Sequence, residues 1–333
     1  MDTGKRSPDV LMPRHLGASG PWISAIGLGT MSWPGCRYGD PHPADLPRAP
    51  REIITMVETA ISLGINLIDT AEGYGCGLAE EFLGSALHET GLRECVRIVT
   101  KTGPLFGADR NNGRTCNLSR GHLFERVDSA LRRLKVDRID VLLAHWPDDQ
   151  TPIGETMAAA SELRAAGKIA HFGASNFSAQ LLEEALSFGP VVCNQLPCSL
   201  ADRTIEDGRR QSCLAHGVGI MAYSPLGKGI LGGKYNVSHL PPSGDYRLER
   251  PHFTHNLERN LLIANRLETI AADFDTVPAA VALAWTLHLP GVTVAIPGAK
   301  SVTQIREHAV APGLLGIAGF TEELDKLSID FAP

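Results

Sequence analysis

Eight short apolar runs, separated by helical segments, constrain this chain more than any other feature of it. They read "SAIGLGT", "GINLIDT", "VRIVTK", "RIDVLLAH", "KIAHFGAS", "PVVCNQ", "VGIMAYS" and "GVTVAIPG". Ile, Val, Leu and Ala dominate each run, as in strands covered on both faces of a parallel sheet. The segments between them have helical spacing. "REIITMVETAISLG" sets Ile53, Val57, Ala60 and Ile61 on one stripe and ends at Gly64, a C-cap signal. "SRGHLFERVDSALRRLKV" opens at Ser119, an N-cap type, and carries Leu123, Val127 and Leu131. "SAQLLEEALSFG" runs from Ser178 to Gly189. Strand then helix, repeated eight times, predicts an α/β fold of the (β/α)8 TIM-barrel type.

The chain is 333 residues long, and barrels of that size fold as one unit. A polar tail at 1–14 precedes a single domain at 15–333, which closes with a C-terminal helix. The rival architecture, an open sheet with a dinucleotide fingerprint, needs G-x-G-x-x-G after an early strand. "GLGTMSWPG" lacks that spacing. A long loop follows the seventh strand at 224–256, rich in Gly, Pro and polar residues; such loops are functional or mobile.

Hydrophobic residues make up 43% and charged residues 20%, as in a soluble globular protein. The net charge of -6 argues against nucleic acid or anionic membranes as partners. The most apolar stretch, "VPAAVALAWTLHL", is too short to span a bilayer and reads as a buried helix. The N-terminus has neither an apolar core nor a small-residue cleavage site. Seven cysteines with no C-x-x-C pair read as reduced thiols of a cytoplasmic protein, Cys76 among them as a small filler.

A barrel of this type builds its active site at the C-terminal ends of its strands. The second run ends in Asp69, the third in Lys101 and the fourth in His145. The fifth ends in Ser175 and Asn176, the sixth in Asn194 and Gln195, the seventh in Tyr223 and Ser224, and the eighth in Pro297 and Gly298. Tyr74 follows Asp69 by five residues. Each residue alone has an ordinary structural role; together they put an acid, a base, an imidazole, two amides and a phenol on one rim. A metal hydrolase would need an H-x-H pair or further histidines at the strand ends, and the sequence offers neither, so no metal is expected. Proton donation to a carbonyl uses the set better. A phenol has a pKa of about 10, and a nearby ammonium lowers it. Lys101 supplies that ammonium, Asp69 keeps it charged, and His145 orients the substrate oxygen.

These residues resemble those of the aldo-keto reductases, NAD(P)H-dependent barrel enzymes. "IDTAEGYG", "IVTKTG", "LLAHWPD", "GKIAHFGASNF", "AYSPLGKGILGGKY" and "IPGAKSVTQIREH" follow that family's signatures in order, over nearly the whole chain. The resemblance implies a catalytic tetrad of Asp69, Tyr74, Lys101 and His145, with Tyr74 as the acid. It assigns Ser175, Asn176 and Gln195 to the nicotinamide carboxamide and Tyr223 to the face of the ring. Ser224, Pro225, Leu226 and Gly227 would follow the pyrophosphate, with charge from Lys228 or Lys234. Ile296, Pro297, Gly298, Lys300, Ser301, Gln304, Glu307 and His308 would surround the adenosine end, and Gly29, Thr30 and Met31 would complete the cofactor groove. Lys300 would pair a 2′-phosphate, which favours NADPH over NADH. His308 stands where the family carries an adenine-contacting Asn. Met31, Trp33 and Trp146 sit where the family builds substrate walls, and "CRYGDPHPADLPRAP" would cover the mouth. The implied activity is reduction of a small-molecule aldehyde or ketone. Some members of the family serve instead as cofactor-binding regulatory subunits, and the same machinery also suits an imine or iminium.

Overall fold

The computed structural model describes residues 13–37, 40–41, 48–105 and 115–332. Most of the N-terminal tail and of the expected mouth-covering loop lies outside the described residues. Eight parallel strands follow one another around a ring: β1 (Gly27–Gly29), β2 (Leu67–Asp69), β3 (Arg97–Thr102), β4 (Ile139–Ala144), β5 (Ile169–Ser175), β6 (Cys193–Pro197), β7 (Gly219–Tyr223) and β8 (Val292–Ile296). The ring closes where β8 meets β1. There the Ala295 amide donates to the Ala25 carbonyl at 3.0 Å and the Gly29 amide to the Pro297 carbonyl at 3.0 Å. The eight expected runs are the eight strands.

Period-two alternation sorts each strand into an inner and an outer face. Leu67, Val99, Val141, Leu143, Cys193, Met221, Val294 and Ile296 form the barrel interior. A short hairpin, Arg14–His15 paired with Trp22–Ile23, lies beneath it and contributes Leu16 and Ile23 to that cluster. The alternate residues, such as Ile68, Ile98, Leu142, Phe172 and Ile220, pack against the surrounding helices.

Those helices are α1 (Pro50–Ser62), α2 (Leu78–Thr90), α3 (Arg120–Leu134), α4 (Ile153–Ala165), α5 (Ala179–Phe188), α6 (Arg209–Ala215), α7 (Leu257–Asp273), α8 (Pro278–His288), α9 (Val302–Ala309), α10 (Ala311–Leu314) and α11 (Phe320–Asp330). Gly64 takes the left-handed conformation (φ 83) just past α1, as its place in the sequence predicts. Ser178 caps α5, accepting from the Leu181 amide at 3.1 Å. Ser119 occupies the N-cap position of α3, but its hydroxyl makes no cap bond. The exposed Arg120 amide is instead met by Glu155 of α4 at 3.0 Å, a partner supplied by packing. Helix α8 is buried from Ala279 to Leu287, which accounts for its apolar sequence. Among the described residues no single helix is long and apolar enough to cross a membrane; α7 and α8 together have the length and composition, but the chain bends by 100° between them.

The connection at 224–256 is not structureless. Short 3-10 turns at Gly227–Gly232, Tyr246–Glu249 and Pro251–Phe253 satisfy much of its backbone. Buried Tyr235 anchors it, edge-on to Phe253 at 5.4 Å and stacked near His239 at 6.3 Å. Asp245, also buried, caps the second turn and pairs with Arg247 at 2.5 Å.

Gly173 of β5 shows how tightly the interior is filled. A Cβ there would lie 2.6 Å from the Cys193 sulfur and 2.7 Å from Leu143 Cδ2. Gly173→Ala is expected to lower unfolding stability by about 1–3 kcal/mol. Gly121→Ala, at a helical position with open space around it, is expected to be neutral or stabilising. Urea unfolding of both variants measures the difference.

Candidate active site

The alternation that fills the barrel also selects its rim. Two residues above Leu67, Val99, Leu143, Gly173, Cys193 and Met221 stand Asp69, Lys101, His145, Ser175, Gln195 and Tyr223. The inner faces therefore change from apolar to polar at one level. Asn194 shares its strand end with Gln195 but faces outward, exchanging hydrogen bonds with the backbone of Phe177.

Lys101 is the centre of this level, its side chain fully buried. An ammonium has three N–H bonds, and three acceptors surround this one. Its Nζ donates to Asp69 Oδ2 at 2.6 Å, to the Thr70 carbonyl at 2.8 Å and to the Tyr74 hydroxyl at 3.3 Å. Asp69 Oδ1 accepts from Gln195 Nε2 at 2.7 Å. Burial lowers the Lys101 pKa, and the Asp69 carboxylate opposes that shift. His145 lies beside them, its ring centroid 6.0 Å from that of Tyr74. Burial, and then the Lys101 charge, hold its pKa well below the ordinary 6.5. The imidazole is therefore neutral at pH 7 and has one donor and one acceptor nitrogen.

The chain between Asp69 and Tyr74 is pinned to β3. The Thr70 amide donates to Val99 O at 2.8 Å and the Glu72 amide to Lys101 O at 3.2 Å. A turn follows, with Gly75, Cys76 and Gly77 all at positive φ, and leads into α2. Glu72 secures it from the outer face of β3. One carboxylate oxygen accepts from the Thr102 hydroxyl at 2.7 Å and the Gly103 amide at 3.0 Å, and Arg126 stands 4.0 Å from the other. Glu80 repeats the pattern with Thr100 at 2.5 Å and Arg133 at 2.7 Å. Burial raises both glutamate pKa values, against these partners. Neither glutamate stands out in the sequence. The one signal was the Thr-Lys-Thr of β3, whose alternation gives the outer face hydroxyls that need buried partners.

The amide corner is built from the next three strands. Asn176 adopts φ 62, costly for a residue with a side chain. Its Nδ2 donates to His145 O at 3.2 Å and to Ser175 Oγ at 2.9 Å, and its Oδ1 accepts from the Tyr223 hydroxyl at 3.0 Å. Beyond it, Ser224, Gly227 and Lys228 also have positive φ, so the Ser224–Lys228 segment coils tightly above β7, with Pro225 and Leu226 inside it. Lys234 lies over the Tyr235 ring at 4.7 Å. At the end of β8, Ile296, Pro297 and Gly298 run beside Gly29 and lead to Lys300. Ser301 caps α9, and Gln304 accepts from the Lys300 amide at 2.7 Å. Glu307 is half-buried on α9.

Two expected site residues are buried. Trp33, expected as a substrate wall, is fully buried within the main core cluster. His308 joins Ile305 and Ala309 on the buried face of α9. Met31 and Trp146 remain exposed, at 37% and 44%, and the Trp146 ring stacks near His145. The Thr30 hydroxyl is buried at the rim without a hydrogen-bond partner, a polar atom left over by the fold itself. Among the described residues no group of three or more His, Cys, Asp or Glu could hold a metal ion.

The family profile described as the aldo/keto reductase family matches residues 25–312. The chain belongs to that family. Among curated aldo/keto reductases, YhdN of Bacillus subtilis is 32% identical, over 85% of this chain and 83% of its own. An uncharacterized oxidoreductase of Mycobacterium tuberculosis is 38% identical, over 87% of this chain and 84% of its own. The glycerol dehydrogenase of Gluconobacter oxydans superposes with a TM-score of 0.83 at 30% identity, covering 97% of both chains. A thermostable aldo-keto reductase, solved with the inhibitor epalrestat, superposes at 0.72 with 33% identity, over 95% of this chain and all of its own. As an aldo/keto reductase the protein is an oxidoreductase of nicotinamide-dependent type, acting on small molecules.

In this aldo/keto reductase His308 makes stability depend on pH. Burial lowers its pKa from 6.5 to about 4. Between those values the unfolded chain binds more protons than the folded one, so stability is lost as pH falls through that window and is full above it. His308→Asn is expected to narrow the difference in urea midpoint between pH 7 and pH 5.

Proposed function

We propose that the protein is an NADPH-dependent reductase of small-molecule aldehydes and ketones, with Tyr74 as the general acid. The observation that carries this reading is the 3.3 Å approach of a buried ammonium, Lys101 Nζ, to the Tyr74 hydroxyl. A phenol releases its proton near pH 10, and an adjacent cation makes that release easier. Tyr74 gives its proton to the carbonyl oxygen, and Lys101 stabilises the phenolate left behind. Neutral His145 donates a hydrogen bond to the same oxygen and orients it. Such acid catalysis contributes roughly a hundred- to ten-thousand-fold in rate.

A reduced nicotinamide held by the rim residues would supply the hydride that, with the proton from Tyr74, completes the alcohol. The rim suits that group. Ser175, Asn176 and Gln195 offer a carboxamide both donors and acceptors, and Tyr223 offers the ring a flat face. The unpartnered Thr30 hydroxyl and the positive-φ coil at Ser224–Lys228 fit a polar ligand lying along β1 and β7. Lys228 and Lys234 would serve the pyrophosphate, and Lys300, at the start of α9, a 2′-phosphate. Met31 and Trp146 are the apolar walls left for substrate. The seven thiols suit a reducing cytoplasm.

Tyr74→Phe is expected to abolish turnover while NADPH still binds, measured by steady-state assay and by quenching of protein fluorescence. Retained turnover would remove Tyr74 from the role. Lys300→Ala is expected to weaken NADPH much more than NADH; equal loss would sink the 2′-phosphate assignment. The assay panel holds aldehydes, ketones and cyclic imines, and the likeness to a glycerol dehydrogenase adds small polyols and their carbonyl forms. Tight NADPH binding without turnover on any of them would mark a binding module instead.

A further inference from the structure

We propose that Gln195 is a positioning residue for the acid: its side-chain amide holds Asp69, and through Asp69 the charge of Lys101, in the state that activates Tyr74. This rests on the reading of Tyr74 as the acid.

The geometry is specific. Gln195 reaches from β6 across the barrel to the end of β2, joining residues 126 apart in sequence. Among the described residues the Asp69 carboxylate has two donors, Lys101 to one oxygen and Gln195 to the other. Asp69 and Gln195 are both buried, at 4% and 3% exposure, so the pair lies away from bulk solvent. The Gln195 backbone is held as well, because its carbonyl accepts from the Ser175 hydroxyl at 3.1 Å and the Asn176 amide at 3.0 Å. The side chain is thus aimed by its strand and by β5. A glutamine kept only to face a ligand would leave its N–H groups at the mouth; this one commits a donor to the carboxylate below.

The physical consequence runs through three groups. A buried carboxylate keeps its charge only while its oxygens are hydrogen-bonded. Without the amide, Oδ1 is left without a donor in a buried site. The negative charge beside Lys101 is then held less firmly. Burial already lowers the Lys101 pKa, and Asp69 is the first influence opposing it. A neutral Lys101 leaves the phenol of Tyr74 without its cation, and release of the phenol's proton becomes harder.

The test is a phenolate titration by ultraviolet difference absorbance, with no turnover or cofactor required. Tyr74 is read as the difference between a chain carrying it and the same chain with Tyr74→Phe. In Gln195→Met, which keeps the volume and removes the donor, this titration is expected to move alkaline by about one pH unit, with turnover at neutral pH falling about tenfold. Should Gln195→Met fail to fold, Gln195→Asn, one methylene shorter, carries the same expectation. A folded variant whose Tyr74 titration does not move overturns the proposal. A weaker cofactor affinity with an unmoved titration also overturns it, since that is the signature of a ligand contact alone. A titration that moves in a protein that reduces no carbonyl supports the role of Gln195 and overturns the reductase reading, so the two failures are told apart.

Discussion

An ammonium enclosed in an apolar barrel is the constraint on which the site is organised. Isolated in such a place, a lysine would give up its proton, because burial penalises the charged form by several kcal/mol. Here each of the three N–H bonds of Lys101 has an acceptor, and one acceptor is a carboxylate. The fold supplies that carboxylate at the only level where it helps, one alternation above the hydrophobic plug formed by Leu67, Val99 and Leu143. Water is kept out from below by that plug and by the Leu16–Ile23 hairpin contacts.

Strand β3 carries the consequence outward. Its Thr100, Lys101 and Thr102 point alternately out, in and out. The inward residue faces the reacting centre. The two outward hydroxyls bond Glu80 and Glu72, which are tied in turn to Arg133 and Arg126. The loop bearing Tyr74 is thereby fastened to the strand bearing Lys101, and the 3.3 Å separation of their polar atoms is fixed from outside the barrel. Asn176 serves the opposite rim. Its positive φ is a local cost, offset by a side chain that bonds His145, Ser175 and Tyr223 together.

Much of this was legible beforehand. The eight runs became the eight strands, because strands covered on both faces must be apolar throughout. The rim residues could be read from strand ends, because a parallel barrel points all its C-terminal ends one way. Face was harder to read. Asn194 and Gln195 are adjacent amides at one strand end, and only register decides that Gln195 enters the barrel while Asn194 binds Phe177. Trp33, four residues past the end of β1, lies among the buried core residues, a placement that no local pattern marks. Ser119 had the type and place of an N-cap, yet Glu155 from a neighbouring helix meets the amide.

By itself the sequence determined the period of the chain and the chemistry at each strand end. Composition along a strand is local information, and so are a glycine past a helix and a phenol five residues beyond a carboxylate. The tertiary structure alone decided which groups touch. Gln195 and Asp69 lie 126 residues apart and meet because the ring closes through β8 and β1, so that strands distant in sequence face each other across one interior. Pairwise distance across a barrel depends on closure and register, and no local pattern records either.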